Sequence, residues 1–464
     1  MPKSPRLIII GLDCAEPSLL FEQWRNDLPN LARLMQKGSY GLLESSIPAI
    51  TVPAWSCMMS GRDPGELGIY GFRNRADRSY QHMTISDGRA VRVQRLWDIV
   101  SEAGWKVAVL SVPGTYPPRP VNGALVSCFL TPSTRVAYTW PPHLADQIAM
   151  WVDDYLLDVP NFRSEDKARI LKDIYTLCDQ RFTVASRLLT EYEPDLFMMV
   201  EMGVDRIHHA FWKHMDPRHP GYISNSPFSE AIHEYYRHVD KRIGELLSYC
   251  GEETTVLVVS DHGARPLMGG ICINEWLQMA GYLTLREQPS GLVSLEEAAI
   301  DWKRTKAWGA GGYYARVFMN VRGREPEGII PLPAYERERA VLAEQLRAIP
   351  GPDGRPLGNR VFIPQQIYQN VRGVAPDLIV YFDDLAWRSV GTVGGSELYT
   401  MENDTGPDDA NHAQYGLMIY YDPQRPGNGQ HIENSQIYDI LPTLLSRYGI
   451  VAPKGLRGKV LQKI

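Results

Sequence analysis

Residues 7–13, LIIIGLD, form an uninterrupted apolar run that ends on a glycine and a carboxylate. A strand buried on both faces has this pattern, because neither face alternates toward water. An apolar run followed by Asp recurs in YEPDLFMMVEMGVD (192–205) and TTVLVVSDHG (254–263), and WKVAVLSV (105–112) is a further buried strand. These four runs predict a parallel sheet that is covered on both faces.

Helical segments and further apolar runs alternate with these strands. PNLARLMQKG (29–38) and RVQRLWDIVSEAG (92–104) each end on Gly, and NSQIYDILPTLLSRYGI (434–450) is amphipathic. PDLIVYF (376–382) and GLMIYYD (416–422) add two more apolar runs. The alternation predicts the α/β class, with a parallel-rich central sheet and helices on both faces.

Two stretches interrupt this rhythm. Residues 131–166 are rich in Pro and Trp, and residues 264–333 include the sequence WGAGGYYARVFMNV. We expect a single α/β domain spanning residues 1–464, with insertions at 131–166 and 264–333 that form a smaller cap region.

Composition excludes several classes of protein. The chain has 464 residues, of which 44% are hydrophobic and 22% charged, and its net charge of −6 argues against a nucleic-acid-binding surface. The N-terminal apolar run (7–10) is too short for a signal peptide or a membrane span. The six cysteines are scattered without a C-x-x-C pair. We therefore expect a cytoplasmic protein with no membrane partner, and a homo-oligomer is left open.

Three aspartates occupy the ends of predicted strands: Asp13, Asp205 and Asp261. In open α/β sheets, ligands bind beyond the carboxyl ends of the strands. A single aspartate at such a place is commonly a helix cap. Three of them, two with a nearby histidine, favour a ligand site instead.

Histidines accompany two of these carboxylates. Asp205 and His209 are four residues apart, so one helical turn places them on the same face. Asp261 and His262 are adjacent in a predicted turn. A third histidine is needed to complete two metal sites. His412 is the best candidate, because it follows an acidic loop (402–411) and precedes an apolar run.

Carboxylate and imidazole ligands together suit Zn²⁺, with Mn²⁺ or Fe as alternatives. Two divalent ions about 4 Å apart clamp the attacking and leaving oxygens of an in-line displacement. We therefore expect two metal ions as cofactors and a small-molecule phosphate ester as substrate.

Thr51 lies in SSIPAITVPAW (45–55), at the mouth of a predicted helix with Pro53 in its first turn. An ordinary helix cap is one interpretation of this threonine. The alternative is a nucleophile, because metal coordination activates a hydroxyl and a helix N-terminus stabilises incoming phosphate. The carboxylates and histidines elsewhere in the chain favour the nucleophile. Cys14, beside Asp13, is interpreted as a packed residue, with metal contact or sensitivity to oxidation as the alternative.

Eight stretches, taken in order, resemble the alkaline phosphatase superfamily, and specifically its type I phosphodiesterase/nucleotide pyrophosphatase branch, which includes predicted phosphohydrolases and phosphomutases. They are IIIGLD, PNLARLMQKGSYG, SSIPAITVPAWSCMMSGRDPGELGIYGF, VPGTYPP, MGVDRIHHAFW, VVSDHGA, NHAQYG and IYDILPTLLSRYGI. They extend from residue 8 to residue 450, which is nearly the whole chain.

The resemblance implies how the site is divided. One metal site would consist of Asp205, His209 and His412. The other would consist of Asp13, Asp261, His262 and the hydroxyl of Thr51. Thr51 would attack phosphorus and form a phospho-threonine intermediate, which water would then hydrolyse.

The chain departs from the family near the phosphoryl oxygens. Nucleotide pyrophosphatases have an Asn about twenty positions after the nucleophile, where this chain has Phe72. We expect Asn74 or the neighbouring Arg73 to replace that Asn as a substrate contact. Close relatives also have Gly where this chain has Cys14.

The leading hypothesis is therefore hydrolysis of a phosphodiester or a pyrophosphate-linked small molecule. Alternatives are a phosphomonoesterase, with Arg73 and Arg75 supplying the extra positive charge, and a phosphomutase that closes its cap over the intermediate. A metal-binding protein without turnover is the remaining class. The complete set of ligands and nucleophile argues against it.

Overall fold

The computed structural model describes residues 6–462. Its strands, numbered in chain order, are β1 (Leu7–Leu12), β2 (Ser39–Glu44), β3 (Arg73–Arg75), β4 (Met83–Ile85), β5 (Val107–Leu110), β6 (Gly123–Val126), β7 (Thr139–Trp140), β8 (Leu196–Glu201), β9 (Thr255–Val259), β10 (Gly263–Pro266), β11 (Gly269–Cys272), β12 (Ala307–Ala310), β13 (Ala315–Met319), β14 (Arg360–Phe362), β15 (Leu378–Tyr381), β16 (Trp387–Val390), β17 (Tyr399–Thr400), β18 (Ala410–Ala413), β19 (Tyr415–Tyr421), β20 (Gln430–His431) and β21 (Ser435–Gln436). The α-helices are α1 (Pro29–Lys37), α2 (Thr51–Ser60), α3 (Pro64–Leu67), α4 (Leu96–Glu102), α5 (Leu144–Trp151), α6 (Lys167–Tyr192), α7 (Gly203–Met215), α8 (Ala231–Leu247), α9 (Ile273–Met279), α10 (Tyr335–Arg347), α11 (Pro364–Ile367) and α12 (Ile440–Arg447).

Ten strands build the central sheet. Nine of them follow the order β20-β2-β19-β9-β1-β8-β5-β6-β7, and β21 pairs with β2. The stretch from β9 to β6 is entirely parallel. The predicted parallel-rich central sheet is therefore confirmed.

Both faces of this sheet are buried, as the apolar run in β1 predicts. Ile8 and Ile10 belong to one core, which also contains side chains of α1, α6, α7 and α8. Leu7 and Ile9 point to the opposite core, which contains side chains of α2, α4 and α12. Alternate residues of one strand thus serve two separate cores, which is why the run contains no polar residue.

Two of the predicted apolar runs pair differently from the simple parallel pattern. The run at 376–382 forms β15, which belongs to a separate four-stranded antiparallel sheet with the order β12-β13-β15-β14. The run at 416–422 forms β19, which joins the central sheet antiparallel to both β2 and β9. An apolar run predicts a buried strand, but the return path of the chain determines its direction and its sheet.

The smaller sheet lies on its own hydrophobic core. Its strands span residues 307–381, and a three-stranded sheet of β16, β11 and β17 adjoins them in sequence. The smaller sheet thus extends past residue 333. The single domain with insertions at 131–166 and 264–333 stays a proposal.

The predicted helices form with shorter bounds. Residues 29–38 give α1, residues 92–104 give α4, and residues 434–450 give α12 after a 3₁₀ turn at Ile437–Asp439. Within residues 6–462, no helix has both the length and the apolar character that a membrane crossing needs.

Candidate active site

The three predicted aspartates lie at one edge of the central sheet. Asp13 follows β1, Asp261 follows β9, and Asp205 lies in the first turn of α7, directly after β8. These strands are adjacent and parallel, so their carboxyl ends meet. All three side chains are at most 2% exposed.

His412 reaches this edge through a short antiparallel ribbon. It lies in β18, which pairs with β10 so that His412 is opposite Ala264. Because β10 begins immediately after His262, the ribbon brings two histidines that are 150 positions apart into contact. Their rings stack with centroids 3.8 Å apart.

A first cluster forms around Asp205. Its Oδ1 lies 3.2 Å from His209 Nε2 and 3.6 Å from His412 Nε2. The two histidine Nε2 atoms are 3.4 Å apart. The Sγ of Cys14 lies within 4.8 Å of the same ligand atoms, although it also contacts the carbonyl oxygen of Gly263 at 3.3 Å. Cys14 is thus packed against the cluster and offers it a fourth donor atom.

A second cluster forms around Thr51. Its Oγ1 lies 3.4 Å from both Asp13 Oδ1 and His262 Nε2. His262 Nε2 lies 3.2 Å from Asp261 Oδ2 and 3.9 Å from Asp13 Oδ1. The structure therefore brings Thr51 together with the three other residues that the sequence assigned to this site.

Thr51 does not cap its helix. It is the first residue of α2, after Ile50 at the N-cap, and the helix start has no capping side-chain hydrogen bond. The hydroxyl instead faces Asp13 and His262. The cap interpretation is therefore wrong, and the hydroxyl is available for chemistry beside the positive end of a helix.

Both clusters fit divalent cations. A tetrahedral ion with ligands about 2.0 Å away separates those ligands by about 3.3 Å. The spacings given above are 3.2–3.6 Å in the first cluster and 3.2–3.9 Å in the second. Asp205 Oδ1 and Asp261 Oδ2 are buried without a hydrogen-bond donor. Among the described residues, no Lys or Arg lies within 4.0 Å of Asp13 or Asp261. A bound cation would satisfy these buried oxygens.

Electrostatics differ between the two clusters. Burial, together with a neighbouring carboxylate, raises the pKa of Asp13 and of Asp261 well above the usual range. Burial also acts to raise the pKa of Asp205, but the neighbouring His209 and Arg206 hold it well below that range. Among the described residues, the carboxylates of the second cluster have no Lys or Arg in direct contact, unlike Asp205, which pairs with Arg206.

His209 is held by a residue that the sequence analysis did not identify. Its Nδ1 lies 2.6 Å from Oδ1 of Asp408, and both side chains are almost fully buried. This contact fixes the ring so that Nε2 faces the first cluster. Asp408 lies in the acidic loop before His412, four residues upstream, and no local pattern distinguishes it from the other acids of that loop.

The other two histidines are oriented by backbone carbonyls. His412 Nδ1 lies 3.1 Å from the oxygen of Ala49, and His262 Nδ1 lies 3.2 Å from the oxygen of Gly263. Such contacts leave Nε2 of each ring directed at the clusters. His208, by contrast, lies in the core against Tyr236 and Trp212.

We expect Asp408→Asn to weaken metal binding at the first cluster by about 10- to 100-fold, because the ring of His209 would lose its carboxylate partner. Isothermal titration with Zn²⁺ measures this change. Glu402→Gln, an exposed acid in the same loop, is the matched control and should bind as the unaltered protein does. Equal affinities for all three proteins would contradict the role given to Asp408.

The two predicted substrate contacts have different surroundings in the structure. The side-chain N–H groups of Asn74 donate to the carbonyl oxygen of Gly71 and to Ser86 Oγ, and its Oδ1 accepts from the N–H of Tyr70. The side-chain amide of Asn74 therefore stabilises the local chain between residues 70 and 86. Arg73 lines a cavity of ≈ 540 Å³.

This cavity borders the first cluster through Tyr313. The Tyr313 ring stacks on His209 at 5.2 Å between centroids and lies 4.2 Å from the ring of His412. Ile50, the residue before Thr51, also lines the cavity. Through these two neighbours the cavity lies next to both clusters, although none of the cluster residues lines it.

The two buried clusters beside Thr51 define a candidate metal-binding site at one edge of an α/β sheet. Residues 7–408 match the type I phosphodiesterase/nucleotide pyrophosphatase family, and the chain belongs to it. No curated protein is similar enough in sequence to match.

Solved structures share the fold at low sequence identity. Phosphonoacetate hydrolase from Sinorhizobium meliloti 1021, in complex with phosphonoacetate, is 18% identical with a TM-score of 0.61, over 97% of this chain and 96% of that one. Human ectonucleotide pyrophosphatase/phosphodiesterase 5 is 13% identical with a TM-score of 0.55, over 98% and 97%. An inactive threonine-to-alanine variant of the murine form, in complex with AMP, is 12% identical with a TM-score of 0.55, over 97% and 96%.

The protein is therefore a metal-dependent hydrolase that acts on phosphoester or pyrophosphate bonds.

Proposed function

We propose that this enzyme hydrolyses a phosphodiester or a pyrophosphate-linked small molecule, with Thr51 as nucleophile and two divalent ions as cofactors. One observation carries the proposal: Thr51 Oγ1 lies 3.4 Å from Asp13 Oδ1 and from His262 Nε2, at the start of α2. A threonine hydroxyl is a poor nucleophile unless a cation or a base activates it.

The residues divide the reaction into two displacements. Thr51 Oγ1 forms a bond to phosphorus, its proton passes to solvent, and the bond from phosphorus to the leaving oxygen breaks. The leaving oxygen takes a proton from solvent. Water then attacks the phospho-threonine, the bond from phosphorus to Thr51 breaks, and the hydroxyl is restored. The balance is one ester bond and one water consumed, and one alcohol and one phosphate monoester released.

Two ions fit the donor sets of the clusters. Asp205, His209 and His412 would hold one, and Asp13, Asp261, His262 and Thr51 the other. The bound ions would supply charge neutralisation at the phosphoryl oxygens and would lower the pKa of the hydroxyl and of water. The mixture of carboxylate and imidazole donors favours Zn²⁺, with Mn²⁺ and Fe as alternatives.

The relatives support the nucleophile and leave the substrate open. The murine structure is of an inactive variant in which a threonine is replaced by alanine, with AMP bound. The Sinorhizobium enzyme binds phosphonoacetate and phosphonoformate. A cytoplasmic location and a homo-oligomer stay predictions for this chain.

A comparison of substrates tests the reaction class. With added Zn²⁺ or Mn²⁺, we expect bis(4-nitrophenyl) phosphate to give a larger kcat/KM than 4-nitrophenyl phosphate, because a monoester carries one more negative charge at the scissile phosphorus. The release of nitrophenolate measures both rates. Faster turnover of the monoester would favour the phosphomonoesterase alternative. Isomerisation of a phosphosugar without hydrolysis of either ester would favour the phosphomutase.

A further inference from the structure

Five arginines line the cavity beside the clusters: Arg73, Arg75, Arg163, Arg316 and Arg388. They come from distant parts of the sequence, and the cavity lining includes only two acidic residues, Glu296 and Asp404. Such a concentration of guanidinium groups in one cavity is typical of sites that bind phosphate or carboxylate.

Three of these arginines have carboxylate partners. Arg163 Nε lies 3.2 Å from Asp408, and Arg388 Nη2 lies 3.2 Å from Asp404. Arg75 Nη1 lies 3.5 Å from Glu325. These side chains therefore help to hold the walls of the cavity, although Nε and Nη1 of both Arg75 and Arg388 are buried without a hydrogen-bond acceptor.

Arg73 and Arg316 differ from the other three. Over residues 6–462, neither has a carboxylate within 4.0 Å. They are also neighbours, because Arg316 donates to the main-chain oxygen of Arg73. Burial lowers the pKa of Arg316, and the positive charge of Arg73 also acts to lower it. Both side chains line the cavity, and the guanidinium of Arg73, which is exposed, has no carboxylate partner among the described residues, so it is free to bind an anion there.

The position of this pair is fixed relative to the clusters. Tyr314 donates to the main-chain oxygen of Tyr70, so the chain around β13 is tied to the loop before β3. Arg316 is three residues from Tyr313, whose ring covers His209. Tyr313, Arg73 and Arg316 line the same cavity. A small molecule bound in it beside Tyr313 can therefore also contact the two arginines.

We propose that Arg73 and Arg316 bind a second anionic group of the substrate, a phosphate or a carboxylate carried on one ester arm. This inference rests on the proposed hydrolysis at Thr51. The inference narrows the substrate class to small diesters or pyrophosphates with a further negative charge. It also gives the smaller sheet, which contains Arg316, a role in selecting them.

The test uses three 4-nitrophenyl phosphodiesters whose second ester arm is pentyl, carboxybutyl or phosphonobutyl. We expect kcat/KM for the charged arms to exceed that for the pentyl arm by about 10- to 100-fold. Comparing the carboxylate with the phosphonate identifies which anion the pair prefers. Increasing salt should reduce the advantage.

In Arg316→Gln, and more strongly in the double variant Arg73→Gln/Arg316→Gln, the advantage of the charged arms should fall by about 10-fold or more, mainly through KM. Arg322→Gln is the matched control, since Arg322 is exposed in the same inserted region and lies outside the cavity lining. It should retain the advantage. Thermal melting of each variant shows whether it is folded.

The outcomes separate the two proposals. Equal kcat/KM for all three arms, or an advantage unchanged in the double variant, would overturn the anion site while leaving hydrolysis of the pentyl ester intact. If the double variant lost kcat/KM equally for the pentyl ester and the charged esters, the anion site would also be overturned, because the arginines would then act at the scissile phosphorus. Pentyl ester turnover that survives Thr51→Ala would instead contradict the proposed function.

Discussion

Thr51→Ala is expected to lower kcat for a phosphodiester by about 10³-fold or more, because the attacking oxygen is removed. The loss should appear with every substrate, including those with a reactive aryl leaving group. Metal content should change little at the first cluster, whose ligand atoms belong to other residues. Steady-state kinetics and metal analysis of the same preparation measure both quantities.

Two variants control for this result. Thr51→Ser retains a hydroxyl at the same position and should keep measurable turnover. Ser60→Ala removes a hydroxyl from the other end of α2, where it donates to the carbonyl oxygen of Ser56. It should leave kcat within a few-fold of the unaltered enzyme. Turnover in Thr51→Ala at the rate of the unaltered enzyme would remove the nucleophile assignment.

Removal of metal is the second change with a large expected effect. Chelation should abolish turnover and lower the melting temperature by about 5–10 °C, since each ion at a free concentration 1,000 times its Kd contributes about 4 kcal/mol to stability. The physical reason is the buried carboxylates of Asp13 and Asp261, which have no Lys or Arg partner within 4.0 Å among the described residues. Differential scanning calorimetry with and without added Zn²⁺ measures the shift.

Asp205→Asn isolates the contribution of one cluster. It should bind about one ion fewer and show a smaller stabilisation by Zn²⁺ than the unaltered protein. Glu402→Gln again serves as the exposed acidic control. A melting temperature that does not respond to chelation, or to added Zn²⁺ afterwards, would contradict the assignment of buried cation sites.

The sequence was sufficient for the residues that lie directly at strand ends. Asp13, Asp205 and Asp261 follow apolar runs, and parallel strands place such residues at one edge of the sheet. His209 follows from helical spacing alone. These predictions need only local pattern and a rule of α/β architecture, and the structure brings the side chains together.

Residues brought in by long-range pairing were harder to assign. The contact of His412 with His262 depends on the β10–β18 ribbon, and neither strand is a long apolar run. Asp408 was hidden in a loop of several acids, where nothing local separates a buried partner of His209 from exposed neighbours. Asn74 was assigned from its place in the chain, but its loop uses both of its N–H groups.

The arginine-lined cavity could not be predicted for the same reason. Arg73 begins β3, which forms a two-stranded sheet with β4, whereas Arg316 lies in the smaller four-stranded antiparallel sheet, and 243 positions separate them. The directions and the pairing partners of strands such as β15 and β19 depend on the path that the chain takes between one strand and the next. Apolar periodicity carries no information about that path.

Anomalous diffraction from crystals loaded with Zn²⁺ tests the central claim most directly. We predict two peaks about 4 Å apart, one bounded by Asp205, His209 and His412, and the other in contact with Thr51 Oγ1. A single peak distant from Thr51, or two peaks with the hydroxyl turned away from both, would contradict a mechanism in which paired cations activate this threonine.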